Sequence, residues 1–427
     1  MRKKIQFYLN EVRDQIKSKE AKEFVAAELD YHLIEAKKEW IRKGFNEEEA
    51  EAKAVGQMGS PVTTGQQLNK LHRPKIDWLM VILLVTTLGL GFLPLVSLGY
   101  MDTGHFSIYK VIFVLLGVAV ALGIMYVDYR KLARQGWLYF TIGILILIAI
   151  KYFSNDMVYG LPVIQIGLIT IESLMAIPFL FLAWASFFNN KSLKIWHCGM
   201  LLFLSNYLFF TIPSVSTAYI YTIMVFVMFG WSKFSRKVIL KTLGMLVSLF
   251  LIAGITLWPF LEIYQKARFL GYNSPESYSN ALGLKVKGLM SQAGWFGNPT
   301  SKEIITDAHT NFVFASITNH FGWLIAGAVV LVLSLIVVRI VLIANKINDS
   351  YGKLLLVGVV ALYTVQFISN IGMTLGFFPM TTMSLPFISY GLMPVLLNSI
   401  LIGLVLSIYR RKDLTSHGFG EAESTLS

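Results

Sequence analysis

The residues whose types and spacing suit chemistry gather where a long polar stretch meets an apolar one. Gly288 to Trp323 reads GLMSQAGWFGNPTSKEIITDAHTNFVFASITNHFGW, and the change comes at Ala308-His309-Thr310-Asn311-Phe312. Asp307 is the only acid at this junction, and His309 is a lone imidazole beside it. The stretch 261–308 carries Lys266, Arg268, Lys285, Lys287 and Lys302 against Glu262, Glu276, Glu303 and Asp307. Five cations there suit an anionic, lipid-linked substrate; a solvated loop that is merely basic is the other reading, because long loops are largely exempt from charge bias. Glu172 is a further candidate, since an ionisable group inside an apolar run is costly unless it is paired, protonated or facing a wet cavity.

The elements that must position these residues are membrane spans. The chain is 55% hydrophobic and 15% charged, with mean hydropathy +0.61, which is too apolar for a soluble chain of 427 residues. Apolar stretches near the length that crosses a bilayer occupy 77–98, 108–127, 136–152, 163–188, 196–212, 214–231, 238–260, 309–343, 353–378 and 389–409. These predict an all-α polytopic bundle of about ten transmembrane helices. Loops holding Arg130, Lys131 and Arg134, then Lys191 and Lys194, then Lys233, Arg236 and Lys237, then Lys346 alternate with 99–107, 153–162 and 379–388, which hold no Lys or Arg. By the positive-inside rule both termini are expected in the cytoplasm.

The net charge of +12 lies mostly beside the spans, where it faces anionic membrane lipids, so no nucleic-acid partner is expected. The single cysteine, Cys198, excludes an internal disulfide and any multi-cysteine metal site. No signal peptide is expected ahead of residue 75. Residues 1–75 read as a cytosolic prefix of two or three amphipathic helices, with Phe24, Leu29, Leu33 and Trp40 at helical spacing and Asn46 with Glu49 as a capping pair. Gly59-Ser60-Pro61 is expected to end the last of them. The membrane domain is placed at 76–412, with an extracellular loop at 261–308, and the tail 413–427 is expected to be disordered and cytosolic.

Two blocks carry a family resemblance. Asn370-Ile371-Gly372-Met373, Gly376, Pro379-Met380-Thr381 and Leu385-Pro386-Phe387-Ile388-Ser389-Tyr390-Gly391 resemble the signature of the shape, elongation, division and sporulation (SEDS) family, which includes RodA, FtsW and SpoVE. Tyr264-Gln265-Lys266-Ala267-Arg268, Asn273, Pro275-Glu276, Tyr278, Gly294 to Gly297 and His309-Thr310-x-Phe312-x-Phe314-Ala315 are similar to that family's large extracellular loop and the segment after it. The resemblance covers about 77–412; the prefix, outside it, resembles short domains found ahead of some bacterial permeases.

The resemblance implies a bacterial plasma-membrane protein of peptidoglycan synthesis, active in cell shape, division or sporulation. It implies a glycosyltransferase that polymerises the undecaprenyl-pyrophosphate-linked precursor, lipid II, beside a class B penicillin-binding protein. An older reading made such proteins flippases. Glycan growth needs a base for the attacking hydroxyl and cations or a divalent ion at the departing pyrophosphate. The candidate substrate contacts are Lys266, Arg268, His309, Thr310, Ser389 and Tyr390 from the resembling blocks, Lys285 and Lys287 from the charge of the loop, and Glu172 from its place inside an apolar run.

The sequence departs from the pattern where the base should be. The residue after His-Thr is Asp in the family and Asn311 here, the paired glutamates beyond it become Asn319-His320, and the Asp of Pro-Asp-x-Gly-Thr becomes Ser214. At Glu172 the family pattern has Gln. A diverged member with polymerase activity absent or much reduced is therefore expected. An active enzyme using Asp307, or a precursor transporter using Glu172, are the alternatives.

Overall fold

In the computed structural model the described residues are 3–97, 103–158, 161–167, 169–190, 193–257, 259, 278–298, 308–378 and 382–414. The chain divides into two compact units, Met1–Asp77 with Tyr409–Ser427, and Trp78–Ile408.

The first unit is built on four helices, α1 (Lys3–Asp14), α2 (Lys19–Arg42), α3 (Glu47–Gln57) and α4 (Pro61–Leu71). Ile5, Tyr8, Val12 and Ile16 recur at helical spacing and are buried together with Val25, Leu29 and Leu33 of α2. Asn46 Oδ1 accepts from the Glu49 amide at 2.8 Å, capping α3. Glu51 reaches across to α1, where its carboxylate accepts from the amides of Lys4 and Ile5 at 2.8 and 3.0 Å. Orphan amide donors at the helix start thereby find an anionic acceptor.

The prefix has one helix more than expected. Gly59 (φ +75) ends α3, but Pro61 opens α4 as its first residue, where a missing N–H costs nothing. Leu414 also belongs to this core. Arg411, fully buried, donates to Glu20 at 2.7 Å, and Lys75 pairs with Asp413 at 2.8 Å. Leu414→Ala should destabilise the unit by about 2–3 kcal/mol through the cavity it leaves. Faster proteolysis within 3–71 of the full-length protein would register the loss.

The second unit contains twelve described helices: α5 (Trp78–Leu90), α6 (Leu93–Ser97), α7 (Thr103–Tyr126), α8 (Gly136–Phe153), α9 (Ile177–Asn189), α10 (Ile195–Thr211), α11 (Val215–Gly230), α12 (Arg236–Leu257), α13 (Tyr278–Gln292), α14 (Val313–Ala344), α15 (Ser350–Thr374) and α16 (Leu392–Arg410). Every one of the ten expected spans contains a helix. Among the described residues six stretches are long and apolar enough to cross a membrane, and Ser173–Asn189, Ile195–Thr211 and Val215–Gly230 are shorter apolar helices.

One expected span is only half helical. Between α8 and α9 the chain forms β1 (Asp156–Val158), β2 (Leu161–Ile166) and β3 (Ile169–Ile171), paired antiparallel in the order β1-β2-β3. The register sets Asp156 opposite Val163 and Ile164 opposite Ile171. Val163, Ile164, Ile166, Ile169 and Ile171 are β-branched and favour strand, and Gly167 (φ +59) makes the tight turn between β2 and β3. An apolar run long enough for a span is therefore divided between a hairpin and a shorter helix.

Helix α14 is broken at Gly322, whose φ of 83° and ψ of 176° are not helical. In an unbroken helix the Trp323 amide would donate to the Asn319 carbonyl and that of Leu324 to His320. Instead Trp323 donates to Gly294 O at 3.1 Å and Leu324 to Trp295 O at 3.3 Å, while Asn319 O accepts from the Asn298 amide at 2.8 Å. The segment after α13 thus satisfies the groups that the break releases, as an apolar setting requires. Glycines permit this approach: a Cβ on Gly297 would stand 2.2 Å from His320 O, and one on Gly322 2.3 Å from Trp295 O.

Candidate functional site

The junction is a turn, 308–312, leading into α14. Three successive carbonyls in it are tied to the carboxyl-terminal third of the chain. His309 O accepts from the Tyr390 amide at 2.7 Å, Thr310 O from Ser389 Oγ at 2.6 Å, and Asn311 O from Asn370 Nδ2 at 2.9 Å. The Asn370 amide group also donates to Met383 O at 2.6 Å, and Ser389 Oγ accepts from the Leu385 amide at 2.8 Å. Asn370 and Ser389 are both fully buried, so water does not compete for these bonds. The turn is therefore held from behind by its backbone.

Around it stands an aromatic wall. The His309 ring lies 5.6 Å from Phe106 and 5.7 Å from Tyr390, both edge-on. Tyr390 in turn packs at 5.1 Å on Phe106 and 5.7 Å on Phe113. Phe106 and Phe113, seven residues apart, share one face of α7. Asn311 is half-buried, and an amide there takes up no proton at neutral pH.

The family described as "Cell cycle protein" (FTSW_RODA_SPOVE) matches residues 77–414. The chain belongs to this family. It is 23% identical over 381 residues to a probable peptidoglycan glycosyltransferase FtsW of Thioalkalivibrio, covering 80% of this chain and 91% of that protein. It is 32% identical over 195 residues to the corresponding FtsW of Bacillus subtilis, a match that spans 42% of this chain and only 47% of the relative. Among solved structures, RodA of Thermus thermophilus superposes with TM-score 0.59 at 21% identity, covering 79% of this chain and 97% of that one. A structure described as a peptidoglycan synthase complex superposes with TM-score 0.68 at 22% identity, covering 79% and 98%. This SEDS chain is accordingly a multi-pass membrane protein of a cell-wall synthesis family.

Of the residues singled out from the sequence, the fold brings His309, Thr310, Asn311, Ser389 and Tyr390 together. Lys285 and Lys287 lie on the exposed face of α13, opposite buried Val286, Leu289 and Met290. Lys266, Arg268 and Asp307 lie outside the described residues. Glu172 was expected inside a span, but it follows β3 and precedes the 3-10 turn Ser173–Ala176 that leads into α9. Its side chain is half-buried there. Among the described residues no group of three His, Cys, Asp or Glu is placed to hold a metal ion.

Two features escaped the sequence reading. Ser214 sits in a buried hydroxyl cluster: Ser173 Oγ lies 2.5 Å from Ser214 Oγ, which donates to Thr217 Oγ1 at 2.9 Å. The three neutral groups satisfy one another without a carboxylate. The second is Lys110 on α7, fully buried, whose ammonium donates to Phe387 O, Ile388 O and Ser389 O at 3.1, 3.3 and 3.0 Å. A cation inside an expected span is the sequence signal for it.

Proposed function

We propose that this SEDS protein binds the undecaprenyl-pyrophosphate-linked peptidoglycan precursor, lipid II, and that its glycan polymerase activity is absent or much reduced. The observation that carries this reading is the state of the junction. Its backbone is anchored at three successive carbonyls, a frame suited to holding a substrate in place, while the side chain at the position of the expected base is an amide, Asn311. Binding geometry is retained and proton transfer is lost.

Lys285 and Lys287 on α13, with Lys266, Arg268 and Lys302 in the same loop, supply positive charge for the pyrophosphate. The protein works in the bacterial plasma membrane with both termini in the cytoplasm, as the distribution of Lys and Arg favours. A class B penicillin-binding protein is the proposed partner; the similar fold found in a peptidoglycan synthase complex supports an assembly of this kind.

Reconstituted in vesicles, the purified protein should bind lipid II and form little or no glycan strand. Absence of lipid II binding would contradict the proposal. Robust polymer that disappears in Asp307→Ala would replace it with an enzyme that relies on that acid.

A further inference from the structure

Among the described residues Lys110 is the most completely enclosed cation of the membrane unit, and its surroundings are unusual in composition. All three of its hydrogen-bond partners are backbone carbonyls, those of Phe387, Ile388 and Ser389. An ammonium has three N–H donors and no acceptor, whereas a neutral amine has only two donors. Three carbonyls converging on one nitrogen match the three N–H donors of an ammonium. Among the described residues no carboxylate stands beside it to offset that charge.

The other side of the same peptide units is equally accounted for. The amides of Ile388 and Ser389 both donate to Leu385 O, at 3.2 and 3.1 Å, and the amide of Tyr390 donates to His309 O at 2.7 Å. Residues 385–390 thus make a tight turn, closed on Leu385 O, whose carbonyls at Phe387, Ile388 and Ser389 converge on Lys110. Phe387, at the start of the carbonyl run, has φ +62, a left-handed conformation that a side chain as bulky as Phe rarely adopts. Strain of this kind persists where the surroundings over-determine it. Gly91, just after α5, closes the remaining side: a Cβ there would stand 2.7 Å from Phe387 O and 3.3 Å from Lys110 Cε.

We infer that Lys110 is a positioning residue for the precursor-binding junction, acting through the 385–390 turn. The ammonium holds three carbonyls, the turn so held presents the Tyr390 amide and the Ser389 hydroxyl, and these hold His309 O and Thr310 O. This inference rests on the proposed binding of lipid II at that junction. The clamp itself does not.

Lys110→Met keeps the length of the side chain and removes all donors; Lys110→Gln retains two. Gly91→Ala leaves Lys110 intact and displaces the Phe387 carbonyl from the opposite side. In vesicle-reconstituted full-length protein, amide exchange of Ile388, Ser389 and Tyr390 should accelerate by at least about tenfold in Lys110→Met and in Gly91→Ala, and less in Lys110→Gln, as expected when charge-assisted bonds are lost. Lipid II affinity should fall in the same order, by about tenfold in Lys110→Met, while exchange in α15 stays at the wild-type rate. A purely structural lysine would instead speed exchange throughout the unit.

Unchanged exchange at 388–390 in both Lys110→Met and Gly91→Ala would overturn the clamp. Accelerated exchange with wild-type lipid II affinity would overturn the positioning role. If the unmodified protein binds no lipid II, the proposed function fails and the positioning role with it, but the exchange rates, which need no ligand, still test the clamp.

Discussion

Gly322→Ala is expected to be among the most damaging single-methyl additions to the membrane unit. The new Cβ would stand 2.3 Å from Trp295 O and 2.4 Å from the Gly297 amide nitrogen, both backbone atoms that no rotamer change can move. Alanine at φ 83 and ψ 176, a region almost exclusive to glycine, also costs about 1–2 kcal/mol in local conformation. Relief requires the 294–298 segment to lift away, which gives up three backbone hydrogen bonds at about 1 kcal/mol each. A loss of roughly 4–5 kcal/mol follows from these terms. Gly327, five residues along the same helix, has open space around its Cα; there alanine should be neutral or stabilising by up to about 1 kcal/mol through helix propensity. Thermal melting of the two variants side by side measures the contrast. Equal melting temperatures would mean that 294–298 does not hold the break.

The second large effect is expected at Asn370. Its side chain is the common donor to Asn311 O and Met383 O, so Asn370→Ala strands two carbonyls in a buried place. Each unsatisfied group costs about 1–3 kcal/mol, so a loss of roughly 3 kcal/mol is expected. Asn370→Asp is nearly isosteric, yet it replaces the donor with oxygen that faces two carbonyls, and it should be at least as damaging at neutral pH. Melting temperature and lipid II affinity should fall together in both variants. Stability close to wild type in Asn370→Asp would show that the donor is dispensable.

These two residues also show what could be read before the fold was known. Asn370, Ser389 and Tyr390 were visible because they stand in ordered blocks with a family pattern, and the same is true of Gly294, Gly297 and the His309-Thr310 pair. Their roles as anchors for backbone carbonyls were not, because a carbonyl carries no residue identity. Lys110 was hidden for the same reason. Its partners lie 277 to 279 residues away and are main-chain atoms, so no spacing rule connects them. The hairpin before Glu172 was concealed by a continuous apolar run, in which strand and buried helix look alike; Pro162 and Gly167 were the available warnings. Pro61 was read as a terminator although, at the first position of a helix, it is equally a start.

A protein that holds lipid II without consuming it would compete for precursor or present it to a partner, and its effect on wall synthesis would scale with its abundance. Under the proposed function, restoring a base at position 311 should be enough to reveal polymerase chemistry, because the turn that carries it is anchored at three successive carbonyls. The most direct measurement is a lipid II polymerisation assay on the wild type and on Asn311→Asp, both reconstituted and matched for precursor binding. Little or no glycan strand from the wild type and a clear gain from Asn311→Asp is the predicted result. Robust polymer from the wild type, with no gain in the variant, would contradict it.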